Sequence, residues 1–407
     1  MRVLLIGSGG REHALALGLS KDPAVTKLIA APGNPGIAEV AELMPVDALD
    51  PAAVLELALK TQADLVIVGP EAPLVNGVAD PLRDKGIAVF GPSRKAAQIE
   101  GSKDFAKRVM AEANVPTARY FTCTTRDEIE SALNAFEKPY VVKDDGLAAG
   151  KGVVVTDDYN TALKHALSCE RVVIEEYLAG PEVSLFVVCD GDTAVPLLPA
   201  QDFKRINDND EGPNTGGMGS YTPLPWAPKD LTETVMAQVV QPTLQHMKEQ
   251  GTPFQGLLFV GLAITAQGPK VIEFNCRFGD PETQSVLAML KSPLGELLYA
   301  AATGKLADFP PLRWREGAAV SVVISTSGYP ESPRVGDVIT NADGLFHAGT
   351  KLDGKDLKTA GGRVLTATAT GPSLKEARKA AYELVSKVDI DGAHYRTDIA
   401  LNAANAE

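Results

Sequence analysis

Short apolar runs alternating with amphipathic stretches mark the first hundred residues. Val3–Ile6, Lys27–Ala31, Leu65–Val68 and Ile87–Phe90 are dominated by aliphatic residues and each closes on Gly or Pro turn chemistry. They predict four buried strands. The segments 11–20, 51–61 and 73–85 between them carry helical spacing. Alternation of strand and helix implies right-handed βαβ units on a parallel sheet. Ligands of such sheets bind beyond the carboxyl ends of the strands, where the turns Gly7–Gly10, Pro32–Gly36 and Gly69–Glu71 all fall.

The pattern changes near residue 101. A helix over 101–112 runs into Asn114-Val115-Pro116, a hinge. Strands are predicted at 119–123, 139–143, 152–156, 171–177 and 182–189, interrupted by helices at 126–136 and 158–167. This is an α+β pattern with largely antiparallel strands. The Gly/Asp/Asn-rich stretch 202–221 predicts a long loop with little regular structure, and loops of that length usually serve a function. Helix 229–249, strands 256–265 and 270–275, and helices 281–290 and 293–303 complete the unit. Strands near 318–325 and 363–369 and a helix at 373–388 form a small C-terminal α+β part without a chemically legible motif. The expected divisions are 1–100, 101–310 (a smaller lobe at about 117–190) and 311–407.

The densest chemistry is VIEFNCRFGDPETQ, residues 271–284. On a strand, Glu273 and Asn275 project from one side. A carboxylate beside an amide oxygen suits a hard cation such as Mg²⁺ or Mn²⁺. Arg277, Asp280 and Glu282 cluster just beyond. Cys276 alternates to the opposite face and reads as structural. No Cys-x-x-Cys pair occurs among the four cysteines, so zinc and redox motifs lack support. The strand before, Leu257–Leu262, has no acid to act as a third metal ligand.

Two Gly-rich turns need separating from better-known motifs. Gly7-Ser8-Gly9-Gly10-Arg11-Glu12 follows a strand and opens a helix, but Glu12 stands where a dinucleotide fingerprint wants a small residue, and no acid follows the second strand. NAD is excluded; a phosphate at the helix N-terminus is not. KDDGLAAGKGV (143–153) lacks the Ser or Thr of a P-loop, yet its small residues between Lys143 and Lys151 suit a loop that closes over a triphosphate.

Net charge is −13 over 407 residues, which argues against a nucleic-acid partner and leaves any substrate phosphate to local groups. The first apolar run is too short for a signal peptide, and nothing approaches the roughly 20 apolar residues of a membrane span. A cytoplasmic, monomeric protein with reduced thiols is the expectation.

RFGDPETQ (277–284) resembles the signature of the phosphoribosylamine–glycine ligase (glycinamide ribonucleotide synthetase) family of the ATP-grasp superfamily. GSGGREHA (7–14), PGNPG (32–36), GPEAPL (69–74), KDDGLAAGKGV, EEYLAGPE (175–182) and GPNTGGMGSYTP (212–223) are similar to that family in the same order. The resemblance implies a parallel α/β substrate domain, a two-lobed ATP-grasp module and a C-terminal domain. It implies ATP-dependent ligation of glycine to 5-phosphoribosylamine through glycyl phosphate, in purine biosynthesis. Lys103 and Lys143 would then contact nucleotide phosphates, with Gly150, Lys151 and Gly152 in a lid over 146–152. Glu175, Tyr177, Leu178 and Glu182 would take adenine and ribose. Gly9, Gly10, Arg11, Glu12, Asn34 and Gly36 would serve the phosphoribosyl substrate, and His13 lies close enough to approach it. Lys204, Asn214, Thr215, Gly216 and Gly217 suit a small zwitterion or a transferring phosphoryl group. Arg277, Asp280 and Glu282 would act beside the Glu273/Asn275 metal, with Arg277, Asp280 and Lys143 catalytic. Another ATP-grasp ligase, such as a bicarbonate-activating carboxylase, and a non-catalytic nucleotide-binding protein are the alternatives.

Overall fold

The computed structural model describes residues 1–147 and 152–407. It begins with a parallel sheet. Strands β1 (Arg2–Gly7), β2 (Lys27–Pro32), β3 (Glu42–Leu43), β4 (Leu65–Val68) and β5 (Ala88–Phe90) lie in the order β3-β2-β1-β4-β5. Helix α1 (Gly10–Ser20) starts at the carboxyl end of β1, and α2 (Pro51–Thr61) is capped by Asp50, which accepts from Ala52 N–H. The helix expected over 73–85 is instead two, α3 (Glu71–Val75) and α4 (Ala79–Asp84). Gly77 between them sits at φ +88°, where a helix cannot continue.

After α5 (Gln98–Gly101) and α6 (Lys103–Glu112) comes a lobe with its own core. Strands β6 (Tyr120–Cys123), β7 (Tyr140–Asp144), β8 (Val153–Thr156) and β9 (Val172–Glu175) pair antiparallel in the order β6-β9-β7-β8. Helices α7 (Arg126–Ala135) and α8 (Tyr159–Leu167) cover one face with Ile129, Leu133, Ala162 and Ala166. Residues 176–181 then lead to β10 (Glu182–Asp190) and β11 (Ala194–Pro196).

The expectation of little regular structure over 202–221 does not hold. Short strands β12 (Gln201–Asp202), β13 (Arg205–Asn207), β14 (Glu211–Asn214) and β15 (Gly219–Thr222) occupy it, β13 and β14 as a hairpin. Composition hid them because the pairing partners of β12 and β15 include strands distant in sequence. Helices α9 (Leu231–Val235) and α10 (Gln241–Glu249) are joined by a π-helical turn, Met236–Val240. Pro242 offers no N–H to Gln238, so the ladder widens just before it.

Strands β16 (Gln255–Thr265) and β17 (Gly268–Asn275) complete the sheet β11-β10-β16-β17. Helices α11 (Glu282–Met289) and α12 (Leu294–Ala302) follow. Leu294, Leu297 and Leu298 of α12 share a core with Leu15 and Leu19 of α1, seating the first sheet on the second unit.

The C-terminal strands are β18 (Ala318–Ser325), β19 (Phe346–His347), β20 (Thr350–Asp353), β21 (Asp356–Thr359) and β22 (Arg363–Gly371), with α13 (Leu374–Val385) packed on β18 and β22 and α14 (Leu401–Asn405) at the end. The sheet order β12-β15-β18-β22-β19 interleaves residues 201–222 with the last hundred. Helix α11 lies against it, its Ser285 Oγ 2.7 Å from both Ser220 Oγ and Ser321 Oγ. Among the described residues, no helix is long and apolar enough to cross a membrane.

Candidate functional site

Charged side chains of the small lobe and of β17 converge where the two meet, at a candidate inter-lobe cleft. Asn275 pairs with Phe259 and Glu273 with Gly261, after which the register slips and Val271 faces Leu262. The slip leaves Ile272 outside the ladder. Its carbonyl accepts from Lys143 Nζ at 3.0 Å. Lys143 also pairs with the buried Glu175 carboxylate, which Lys107 Nζ approaches at 2.6 Å from α6. Burial opposes the charge on Glu175, but Lys143 and Lys107 outweigh it and hold its pKa below the usual range. Lys107 was no sequence candidate; its helical position on α6 gave no sign that it faced an acid 68 residues on.

Glu273 behaves likewise. Burial works against ionisation, and Lys204, Lys143, Lys103 and Arg277 overcome it, so its pKa is lowered. Lys103 donates to Gly146 O at 2.9 Å. Burial lowers its pKa against the attraction of Glu273. Lys204 Nζ lies 2.5 Å from Glu182 Oε2. Asp202, absent from the sequence candidates, joins this group: burial, reinforced by Glu282, Glu182 and Glu273, pushes its pKa up against Lys204. Glu282 accepts from Ser184 Oγ at 3.1 Å, deep under the cleft. Tyr177 is exposed and Leu178 half-buried in the 176–181 linker. Gly152 accepts Asp144 N–H at 2.8 Å. Gly150 and Lys151 lie outside the described residues.

Arg277 is not open to the cleft in the way its sequence position suggests. Its guanidinium sits 3.1 Å from Glu71 on α3 and 3.0 Å from Glu100 on α5, and donates to Asn275 Oδ1 at 3.4 Å. Burial opposes its charge, and the two acids more than compensate, raising its pKa. Cys276 is buried, its N–H given to Glu100 at 2.7 Å.

A second basin, a cavity of about 540 Å³, opens at the head of α1. Gly9, Arg11, Glu12, Asp280, Gly349 and Arg363 are among its walls. A side chain on Gly10 would meet Gln284 Nε2 at 2.8 Å and displace it from Asp280, so α1 and α11 approach closely there. Asp280 Oδ2 accepts Arg11 N–H at 3.4 Å, and Oδ1 accepts Gln284 Nε2 at 2.8 Å. Glu12 turns inward, accepting Gly9 N–H at 2.6 Å and Arg11 Nε at 2.5 Å.

Asn34 and Gly36 stand behind the wall. Asn34 Nδ2 donates to Ser8 O and His347 O, both at 2.8 Å, while its Oδ1 accepts Ile37 N–H. Gly36 makes room for the His13 and His347 rings. His13 also faces away from the cavity, accepting His347 N–H on Nδ1 at 2.8 Å. Gly216 and Gly217 pack against Arg363 and the Asp280–Pro281 turn, Thr215 Oγ1 donates to Lys204 O at 2.8 Å, and Asn214 pairs with Arg205.

The residues present fit a divalent cation. Glu273 stays ionised, and Asn275 Oδ1, which accepts Arg277 Nη2 at 3.4 Å, keeps a second lone pair for a cation. Among the described residues no group of three or more His, Cys, Asp or Glu is arranged for a metal, so nucleotide oxygens and water would complete the shell, as Mg²⁺ favours.

Family-level profiles agree along the chain. The N domain of phosphoribosylglycinamide synthetase matches residues 1–100, its ATP-grasp (A) domain residues 101–283 and its C domain residues 319–402. The phosphoribosylamine–glycine ligase of Streptomyces coelicolor is 61% identical over 416 residues, covering 100% of both chains. That of Mycobacterium tuberculosis is 54% identical, covering 100% of this chain and 99% of the relative. The crystal structure of the Thermotoga maritima phosphoribosylamine–glycine ligase superposes with a TM-score of 0.86 at 34% identity, over 98% of this chain and 100% of that one. Biotin carboxylase from Campylobacter jejuni shares the fold at 14% identity, with a TM-score of 0.73 over 97% and 93% of the two chains. Matched in all three parts and end to end, the chain belongs to the phosphoribosylglycinamide synthetase family of ATP-grasp enzymes.

Proposed function

We propose that the two basins divide one reaction: the inter-lobe cleft activates glycine with ATP, and the α1 cavity presents 5-phosphoribosylamine to the activated acyl group. As an ATP-grasp carbon–nitrogen ligase of purine biosynthesis, the chain joins glycine to 5-phosphoribosylamine and converts ATP to ADP and phosphate. The observation that carries the division of labour is the segment 273–282. Glu273 and Asn275 lie in the cleft, and Asp280 lines the cavity.

A carboxylate resists amine attack because its oxygen is a poor leaving group. Phosphorylating glycine on its carboxylate gives glycyl phosphate, which the amine opens with loss of phosphate. The protein's tasks are positioning and charge stabilisation. Lys103 and Lys143 point ammonium groups at the nucleotide side, with Glu175 fixing Lys143. The linker carrying Tyr177 and Leu178 offers main-chain groups to the base, and Glu182 a carboxylate to the ribose. Mg²⁺ or Mn²⁺, held by Glu273 and Asn275, would neutralise phosphate charge. Lys204, Glu282 and the 214–217 loop frame the glycine. Arg277 keeps the metal-bearing strand attached to α3 and α5. We read the enzyme as monomeric, and as cytoplasmic in keeping with cysteines that are all free thiols.

The test is substrate dependence. ADP release by the purified chain should require glycine and phosphoribosylamine together. Stimulation by bicarbonate in their place would overturn the reading in favour of a carboxylase.

A further inference from the structure

Two side chains of the C-terminal part grip a single glycine of the 214–217 loop from both sides. Gly216 N–H donates to Tyr329 Oη at 2.9 Å, and Gly216 O accepts Arg363 Nη1 at 2.7 Å. The same Nη1 reaches Asp280 O at 2.6 Å and Gly217 O at 3.3 Å. One guanidinium nitrogen therefore ties the loop to the turn that carries Asp280. The fit depends on missing side chains: a Cβ on Gly216 would lie 2.9 Å from Arg363 Cζ, and one on Gly217, at φ +112°, 2.6 Å from Pro281 Cδ. Tyr329 is seated by Gly362, where a Cβ would fall 2.2 Å from its ring. Arg363 also lines the α1 cavity.

We propose that Arg363 and Tyr329 are positioning residues through which the C-terminal part fixes the spacing between the glycine-side loop and the phosphoribosylamine cavity. This rests on the reading of those two basins given above. Acyl phosphate formed on one side must meet an amine held on the other, and a slack loop lets water reach it first. The C-terminal part thereby governs how tightly ATP cleavage is coupled to ligation.

The variants are Tyr329→Phe, which removes only the acceptor oxygen, and Arg363→Lys, which keeps the charge but not the fork. Thermal unfolding confirms that each folds. Turnover is measured with glycine and phosphoribosylamine, nucleotide affinity by titration with a fluorescent ATP analogue, and coupling as ADP released per amide formed. Loss of one hydrogen bond that positions reactants should lower turnover about tenfold in Tyr329→Phe, and Arg363→Lys should lose roughly a hundredfold. ADP per amide should rise above one in both, with nucleotide affinity unchanged. Turnover and coupling like the parent's in both variants overturn the proposal. So does a loss of nucleotide affinity that parallels the loss of turnover. Absence of glycine-dependent ADP release in the parent chain would instead strike the functional reading itself.

Discussion

In the inter-lobe cleft, charge is met by charge. Glu175 lies between Lys107 and Lys143, and Glu273 faces Lys103, Lys143 and Lys204. At the head of α1 the walls are mostly glycine, proline and alanine. The charged groups there turn to each other or to main chain: Arg11 to Glu12 and Phe278 O, Asp280 to Gln284 and Arg11 N–H. The difference matches what each basin would accommodate under the proposed division of labour. A triphosphate with its cation brings several charges into a low-dielectric space, where only preplaced counter-charges are effective. A sugar monophosphate, the ligand proposed for the cavity, brings fewer charges and asks more of shape than of counter-charge. The cleft therefore depends on side-chain ionisation, and the cavity on backbone shape.

The largest expected effect follows from removing the carboxylate at the centre of the cleft. Glu273→Gln keeps the volume and removes the one charge that Lys103, Lys143 and Lys204 all face. Glycine-dependent ADP release should fall by about a thousandfold or more. Turnover within tenfold of the parent would show that the cleft works without its central charge, and the contrast would fail at its strongest point.

Next comes Glu175→Gln, which leaves two buried ammonium groups without their shared partner. Breaking such a group by deleting one member typically costs about 3–5 kcal/mol. The loss should be read locally, as hydrogen-exchange protection of β7 and β9, because this lobe has its own core. The pH sign is fixed by the lowered pKa of Glu175. Its contribution is present above the unfolded glutamate value and disappears as pH falls through the lower folded one. Acid weakening of β9 should accordingly be blunted in the variant.

The cavity's counterpart is gentler. His13 backs the cavity wall, its ring against Phe346 and His347. Burial, aided by His347, lowers its pKa from 6.5 to about 4. Between those values the unfolded chain binds more protons than the folded one, so stability falls as pH is lowered across that window. His13→Asn, which keeps an acceptor near Nδ1, should reduce the loss of unfolding free energy between pH 6.5 and 4 by about 2 kcal/mol. An unchanged slope would mean the ring is not held neutral by the fold.

Strands and helices with regular apolar spacing were legible from sequence, because burial imposes that spacing. So was the alternation that puts Glu273 and Asn275 on one side of β17. What could not be read was anything decided by distant partners. Arg277 carries a charge in any reading, but its engagement with Glu71 and Glu100 depends on α3 and α5 meeting β17. Asn34 looks like a binding residue beside its glycines, yet its amide joins Ser8 to His347, 313 residues away. Lys107, Asp202, Tyr329 and Arg363 sit in stretches without a motif. Lys107 meets Glu175 only where α6 packs against the small lobe, and Tyr329 and Arg363 meet the 214–217 loop only where the last hundred residues close around the 201–222 strands.

The smallest effect tests whether burial, and not pairing as such, gives the cleft its strength. Arg126 and Glu130 on α7 form an ion pair of 2.7 Å in the same lobe as Glu175, and by distance alone the two arrangements are alike. Their side chains are 63% and 38% exposed, against 3% for Glu175. Water screens the surface pair, and holding two long side chains together offsets most of the gain. Glu130→Gln should thus cost less than about 0.5 kcal/mol, and the cost should vanish in molar salt. Hydrogen exchange on α7, followed at low and high salt, measures this. A loss approaching that of Glu175→Gln would mean that proximity of opposite charges suffices anywhere in this lobe, and burial would no longer explain the strength of the pairs around Glu175.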